Sequence, residues 1–163
     1  MRETTIPMIR PSRPNDVPAL MSLIRALARY EKLEHEVVGT EEDLREQMFG
    51  ARPGIEGLVV EDGGILVAFA LFFHTFSTFL CKRGLYLEDL FVLPEHRRRG
   101  HGTALLRALA RVAAERRCGR FEWAVLDWNE PAKRLYRAMG ATEMSEWRVM
   151  RVTGERLSEM TKD

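Results

Sequence analysis

Between Arg97 and Gly102 the chain reads Arg-Arg-Arg-Gly-His-Gly, and from Thr103 a helical pattern opens directly behind it. Glycines in such a turn let backbone N–H groups approach a ligand with no Cβ in the way. The helix start adds unpaired N–H donors and roughly half a positive charge. Arg97, Arg98 and Arg99 bring charge to the same turn, which makes it an anion site suited to a phosphate or pyrophosphate. Two familiar phosphate motifs are excluded. No run ends in Gly-Lys-Ser/Thr as a P-loop must, and Gly100-His101-Gly102 is followed by Thr-Ala-Leu105, so the last glycine of the dinucleotide fingerprint is missing. Just upstream, Glu88 and Asp89 place two carboxylates in an otherwise apolar run, Leu85 to Leu93. Side chains alternate on a strand, so these two should point to opposite faces, and one of them should be structural.

These residues need elements to hold them. Met8 to Pro11 reads as a first strand, and Asn15 or Asp16 as the cap of a helix with Pro18 in its first turn. Val17, Leu20, Leu23, Ile24, Leu27 and Ala28 form one apolar stripe, which takes that helix to about Tyr30. An acidic connector, Tyr30 to Glu36, leads to a capping box at Thr40-Glu-Glu-Asp43 and a second helix, with Leu44, Met48 and Phe49 inward and Gly50 beyond its end. Glu56 to Val60 is a strand, Asp62-Gly63-Gly64 a hairpin turn, and Ile65 to Phe76 a long apolar strand paired back. Thr75 to Arg83 reads as a loop carrying Phe76 and Phe79. The Leu85–Leu93 strand, stopped by Pro94, feeds the glycine turn. The helix from Thr103 to Arg117 buries Leu105, Leu106, Leu109, Val112 and Ala113. A strand from Phe121 to Leu126, a helix capped within Asp127–Pro131 and ended by Gly140, a strand from Glu146 to Val152, and a tail helix from Gly154 complete the order. Strands and helices alternate as in an α/β or α+β domain: one helix pair first, then a mixed sheet.

The Arg97-x-x-Gly100-x-Gly102 turn resembles the acetyl-coenzyme A loop of the GNAT N-acetyltransferases, Q/R-x-x-G-x-G/A. A second segment agrees. Asn129-Glu-Pro-Ala-Lys-Arg-Leu-Tyr136, then Met139-Gly-Ala141, is similar to that family's N-x-x-A/S-x-x-x-Y-x-x-x-G-F/A stretch and lies one helix and one strand after the loop. More narrowly, Leu27 to Glu31, Tyr86-Leu-Glu-Asp89 and Asp127-Trp-Asn129 resemble the diamine (spermidine/spermine) and thialysine acetyltransferase branch. The likeness spans roughly Ile9 to Val152. It implies the GNAT fold, a mixed, mostly antiparallel twisted sheet flanked by helices. It further implies a single domain over 8–155, with terminal extensions at 1–7 and 156–163, and a homodimer.

The same resemblance implies a reaction. Coenzyme A pyrophosphate would sit on Arg97, Arg98, Arg99, Gly100, His101, Gly102 and Thr103, with the pantetheine arm beside Leu90, Phe91 and Val92 and near Asn129, Pro131 and Ala132. A primary amine of a polyamine, thialysine or lysine-like compound would attack the thioester directly in a ternary complex. Tyr136 would protonate the leaving thiolate, and Glu88 would serve the amine through a water. Tyr30, Glu31, Asp89, Glu122, Trp123 and Glu146 would help recognise the acceptor. The chemistry needs such help, because an alkyl amine near pKa 10.4 lies roughly 4–5 kcal/mol from its reactive neutral form at pH 7. Carboxylates beside an ammonium oppose its deprotonation, which is why the acids are divided between base and recognition. Other amines as acceptor (an amino acid, an aminoglycoside, a protein amine), or a coenzyme A sensor without turnover, stay open. Glu88, Asn129 and Tyr136 together argue against the sensor, which has no need of an acid near the sulfur.

Bulk properties agree. A chain of 163 residues, 45% apolar and 30% charged, suits one soluble domain. A net charge of +1 offers nothing to nucleic acid or an anionic membrane, and no run approaches the ~20 apolar residues of a membrane helix. Met1 to Ile9 has no apolar core of a signal peptide, so a cytoplasmic location is expected. Cys81 and Cys118 lie far apart, which speaks against a disulfide or a zinc site, and Cys118 reads as a buried, inert thiol. His35, His74 and His96 have no metal-ligand partners at useful spacing, so no metal is expected, and the His101 side chain reads as incidental to its loop.

Overall fold

The sharpest reversal of the chain falls where two adjacent glycines permit it. In the computed structural model, which describes residues 7–162, strands β2 (Glu56–Asp62) and β3 (Ile65–Ser77) pair antiparallel down to Asp62↔Ile65. Gly63 and Gly64 between them have φ of 60° and 82°, the left-handed pair that a two-residue hairpin demands. Strand β1 (Met8–Pro11) flanks β2, and β4 (Lys82–Val92) flanks β3, both antiparallel. Strand β5 (Arg120–Trp123) joins β4 in parallel, giving the sheet order β1-β2-β3-β4-β5. The mixed, mostly antiparallel α+β sheet expected from the sequence is therefore present. Among the described residues no helix is long and apolar enough to cross a membrane. The N-terminal extension, apart from Pro7, and residue 163 of the C-terminal one lie outside the described residues.

The described chain falls into two compact units, one ending at Ala124 and one beginning at Val125. In the first, helix α1 (Val17–Glu31) buries Val17, Leu20, Met21, Leu23, Leu27 and Ala28, the stripe read from the sequence apart from Met21 for Ile24. Leu20, Leu23 and Leu27 pack with Met48 of helix α2 (Glu41–Phe49) and with Val59, Phe69, Leu71 and Phe91 of the sheet. Truncating the fully buried Phe69 would cost about 3–5 kcal/mol. Helix α3 (His101–Glu115) buries Leu105, Leu106, Leu109 and Ala113. The Thr40 and Asp43 capping box closes as expected, with Asp43 N–H donating to Thr40 Oγ1 at 3.1 Å.

Five expectations need correction. Asp16 caps no α1 amide with its side chain; it accepts from Arg13 N–H at 2.7 Å and from both Arg10 terminal nitrogens, at 2.7 and 3.0 Å. Arg10 also donates to Glu61, so the carboxylate serves to lock β1, β2 and the turn before α1 together. The expected loop at Thr75–Arg83 is mostly strand, since pairing continues to Ser77↔Lys82; Thr75 and Phe76 suit a pleated strand, and only the tip needs to turn. The α3 helix starts at His101, ahead of Thr103, because Gly100 takes φ of 81° and serves as its N-cap. Beyond Trp123 the expected β5 does not reach Leu126, and Glu146–Val152 forms no strand in the second unit. Trp147, Val149, Met150 and Val152 are exposed there. Strand propensity supplies a preference, whereas a strand also needs a ladder partner for its amides.

Candidate active site

The glycine turn has the conformation that its residues suggested. Arg98 and Gly100 both adopt positive φ, 61° and 81°, which curls the backbone ahead of α3. A Cβ placed on Gly102 would stand 3.8 Å from Leu90 and 3.9 Å from Val92, so the first turn of α3 rides directly over β4. His101, Gly102 and Thr103 form the first turn of α3, whose amides have no intrahelical acceptor, and Gly100 offers them no side-chain cap. Arg98 and Arg99 are exposed. Arg97 is half-buried: its Nε–H donates to the Val92 carbonyl at 3.0 Å, and its guanidinium lies 4.6 Å from the Tyr30 ring centre and 5.5 Å from that of Phe91. Tyr30 and Phe91 are themselves 6.5 Å apart.

The two carboxylates upstream are separated by more than strand alternation. Leu71 pairs with Asp89 but Phe72 pairs with Leu87, so Glu88 is the unmatched residue of a β-bulge. Glu88 is exposed and Asp89 half-buried. The bulge turns the following residues over: Leu90 and Val92 face α3, whereas Phe91 packs with α1. Asp89, opposite Leu71, shares the α1 side. Burial pushes the Asp89 carboxyl up to about 6, and the charges of Glu88 and Glu31 add to the effect. Burial also raises Glu31, at the C-terminal end of α1. Tyr86, whose ring lies 5.1 Å from that of Phe73, is raised by burial and then by Glu88 and Glu122. Tyr86 belongs to the same Tyr-Leu-Glu-Asp89 run as the two carboxylates.

On the same side of the sheet, an open cleft of about 540 Å³ runs between α1 and α2, lined by apolar Met21, Ile24, Val37, Leu44, Ile55 and Phe73. Glu36 and Asp43 stand among its walls. The structure thus brings Tyr30, Glu31, Glu88, Asp89, Phe91 and Arg97 to one end of β4. Glu122 and Trp123 lie on neighbouring β5, where Glu122 pairs with Arg120 at 2.9 Å and Trp123 packs 4.8 Å from Phe121. Cys81 is an exposed free thiol; Cys118, expected buried, is half-buried and also free.

In the second unit, Asn129 caps helix α4 (Glu130–Ala138), its side-chain oxygen accepting from Ala132 N–H at 3.4 Å, with Pro131 in the first turn. Tyr136 is half-buried on α4, and Lys133 bridges Glu130 at 3.1 Å and Asp127 at 3.4 Å. Glu146 lies in the irregular, exposed stretch that follows.

Histidines also fall differently from the sequence expectation. His101 is buried, and Asp62 and His96 stand beside it. The group comes from a hairpin, a turn and a helix start, a convergence that linear spacing does not signal.

The family model described as "Acetyltransferase (GNAT) family" matches residues 21–141. The thialysine N-epsilon-acetyltransferase of Mus musculus is 38% identical across 93% of this chain and 95% of its own length. An L-ornithine N5-acetyltransferase of Arabidopsis thaliana is 33% identical across 94% of this chain and 87% of its own. Among solved structures, an integron cassette protein from the V. cholerae mobile metagenome superposes with a TM-score of 0.81 at 24% identity, covering 96% of this chain and 98% of its own.

Proposed function

Because this chain belongs to the acetyltransferase (GNAT) family, we propose that its acceptor is a polyamine, thialysine or another compound with a lysine-like terminal amine. The enzyme is an acetyl-coenzyme A-dependent N-acetyltransferase that acetylates a small-molecule amine. One observation carries the finer reading: three carboxyls, Glu31, Glu88 and Asp89, act on one another at the end of β4, and an apolar cleft lies on the same side of the sheet. A chain with a cationic end and an aliphatic body is complementary to that pair of features. Thialysine and ornithine, the acceptors in the names of two relatives, share that form.

In this reading the amine enters as an ammonium held by Glu31 and Asp89, with Tyr30, Glu122, Trp123 and Glu146 as further contacts. Glu88, exposed at the bulge, takes its proton through a water, and the freed lone pair attacks the thioester carbon. As the adduct collapses, the C–S bond breaks with its electron pair going to sulfur, Tyr136 donates the proton that releases the thiol, and the nitrogen's remaining excess proton returns to Tyr136 through solvent. Asp89 is a second candidate for the base, since a carboxyl raised to about 6 takes up a proton near neutral pH more readily than an ordinary one. The pyrophosphate rests on the amides behind Gly100 with Arg97, Arg98 and Arg99 around it. The pantetheine would follow Leu90, Phe91 and Val92, and Asn129, Pro131 and Ala132 are the further residues that the resemblance assigns to it. We propose also that residues 8–155 act as one catalytic domain, an inference supported by a family match that runs across Ala124, and that the enzyme is a cytoplasmic homodimer, as the resemblance implies.

Thiol release from acetyl-coenzyme A against a panel of amines tests the acceptor. Turnover with spermidine, thialysine or ornithine above that with aminoglycosides and α-amino groups is expected. A preference for the latter, or silence across the panel, overturns the acceptor class.

A further inference from the structure

On the opposite flank of the glycine turn, the β2–β3 hairpin carries Asp62 against the segment that follows β4. Asp62 Oδ2 lies 3.6 Å from His96 Nδ1 and 3.6 Å from Arg99 Nη1. The imidazole of His101, first residue of α3, completes the group, so that one ligand atom from each of Asp62, His96 and His101 lies within 4.8 Å of the other two. His96 Nδ1 and His101 Nε2 are buried and have no hydrogen-bond partner among the described residues. His101 is only 6% exposed. A buried polar nitrogen left unpaired is destabilising, and here two converge with a carboxylate. A plain His96–Asp62 hydrogen bond does not account for them. At 3.6 Å the pair is too long for one, and it would leave His101 unsatisfied.

We propose that Asp62, His96 and His101 form a binding site for a divalent transition-metal ion of the zinc class. Two imidazole nitrogens and one carboxylate oxygen suit zinc, cobalt or nickel, whereas magnesium and calcium require sets of oxygens. Ligands about 2.0–2.1 Å from a tetrahedral ion stand about 3.4 Å apart, so side-chain rotations of about 1 Å close this group around an ion. Three protein ligands leave the fourth position to water. Arg99, half exposed, occupies the carboxylate and swings outward when the ion takes its place. The bound ion ties the β2–β3 hairpin to both sides of the turn that leads into α3, a segment remote from Asp62 in sequence.

Calorimetric titration of metal-free protein with zinc chloride, alongside magnesium chloride, tests the site. One zinc ion per chain, with Kd of about 1 μM or tighter, is expected, with a rise in Tm that magnesium does not produce. His96→Gln and, separately, Asp62→Asn, each checked for folding by circular dichroism, should weaken zinc binding at least tenfold. Cobalt substitution should give visible ligand-field bands without thiolate charge transfer. Absence of stoichiometric zinc binding, affinity unchanged in both variants, or affinity lost on Cys81→Ser overturns the proposal. None of these readouts depends on acetyl transfer, so failure here leaves the acceptor reading as it stands.

Discussion

Arg97 lays its guanidinium 4.6 Å from the ring centre of Tyr30, joining the glycine turn to the last turn of α1. The contact makes the glycine turn depend on the same helix that carries Glu31 beside β4. Arg97→Lys retains the charge but loses the flat stacking surface and the Nε–H bond to Val92. Coenzyme A affinity should fall about tenfold, in line with about 1–1.5 kcal/mol for a partly desolvated cation–π contact and one hydrogen bond. Tyr30→Leu should fall comparably, and the double variant should fall less than the sum, as residues sharing one contact do. Calorimetric titration with coenzyme A reads all three; strict additivity means that the stacking does not shape the turn.

Gly100 needs its conformation more than its space. Its φ is 81°, yet nothing lies within 4 Å of where a Cβ would stand. Gly100→Ala should therefore destabilise by about 1–2 kcal/mol through the left-handed backbone alone. Arg98, also left-handed at φ 61°, is the converse case: Arg98→Gly relieves strain and should leave stability equal or higher. Denaturant midpoints measure both. Equal losses in the two variants would falsify the conformational account.

Asp89 sets a pH dependence of stability. Its carboxyl moves from 3.8 to about 6 on folding. Between those values the folded chain keeps a proton that the unfolded chain has released, so stability falls as pH rises through this window. The full shift corresponds to at most about 3 kcal/mol by pH 7, reduced by the group's partial solvent access. Asp89→Asn should thus stabilise the free enzyme at pH 7.5 by about 1–2 kcal/mol while changing it little at pH 4. Urea unfolding at the two pH values decides the matter, and a variant less stable at pH 7.5 would show that the carboxylate is compensated by a partner.

Much of this arrangement was legible because it is local. The Asp62-Gly63-Gly64 hairpin, the Thr40–Asp43 box and the α1 stripe follow from residues within a few positions of one another; the first two formed as read, and the stripe differs only in burying Met21 in place of Ile24. Features that depend on a partner strand or a distant element were not legible. Strand alternation already assigns Glu88 and Asp89 to opposite faces, but which of the two is buried depends on the mismatch of Leu71↔Asp89 with Phe72↔Leu87, which nothing in the sequence announces. Glu146–Val152 has strand residues, but no pairing forms there. His101 looked incidental because nothing near it in sequence announces Asp62.

The proton path is the sharpest test of the site, since Glu88 and Asp89 predict different pH–rate profiles. A base must be unprotonated, so kcat/KM rises with pH through its pKa. If Glu88 is the base, Glu88→Gln abolishes that ascending limb. If Asp89 is the base, Glu88→Gln only moves the limb to lower pH, because the Glu88 charge is among the causes that raise Asp89; Asp89→Asn then removes it. Tyr136→Phe acts on the other proton and should lower kcat by about 10²-fold at every pH with little change in coenzyme A affinity. A limb that survives both carboxylate variants, or a kcat untouched by Tyr136→Phe, places the corresponding proton on a group other than these.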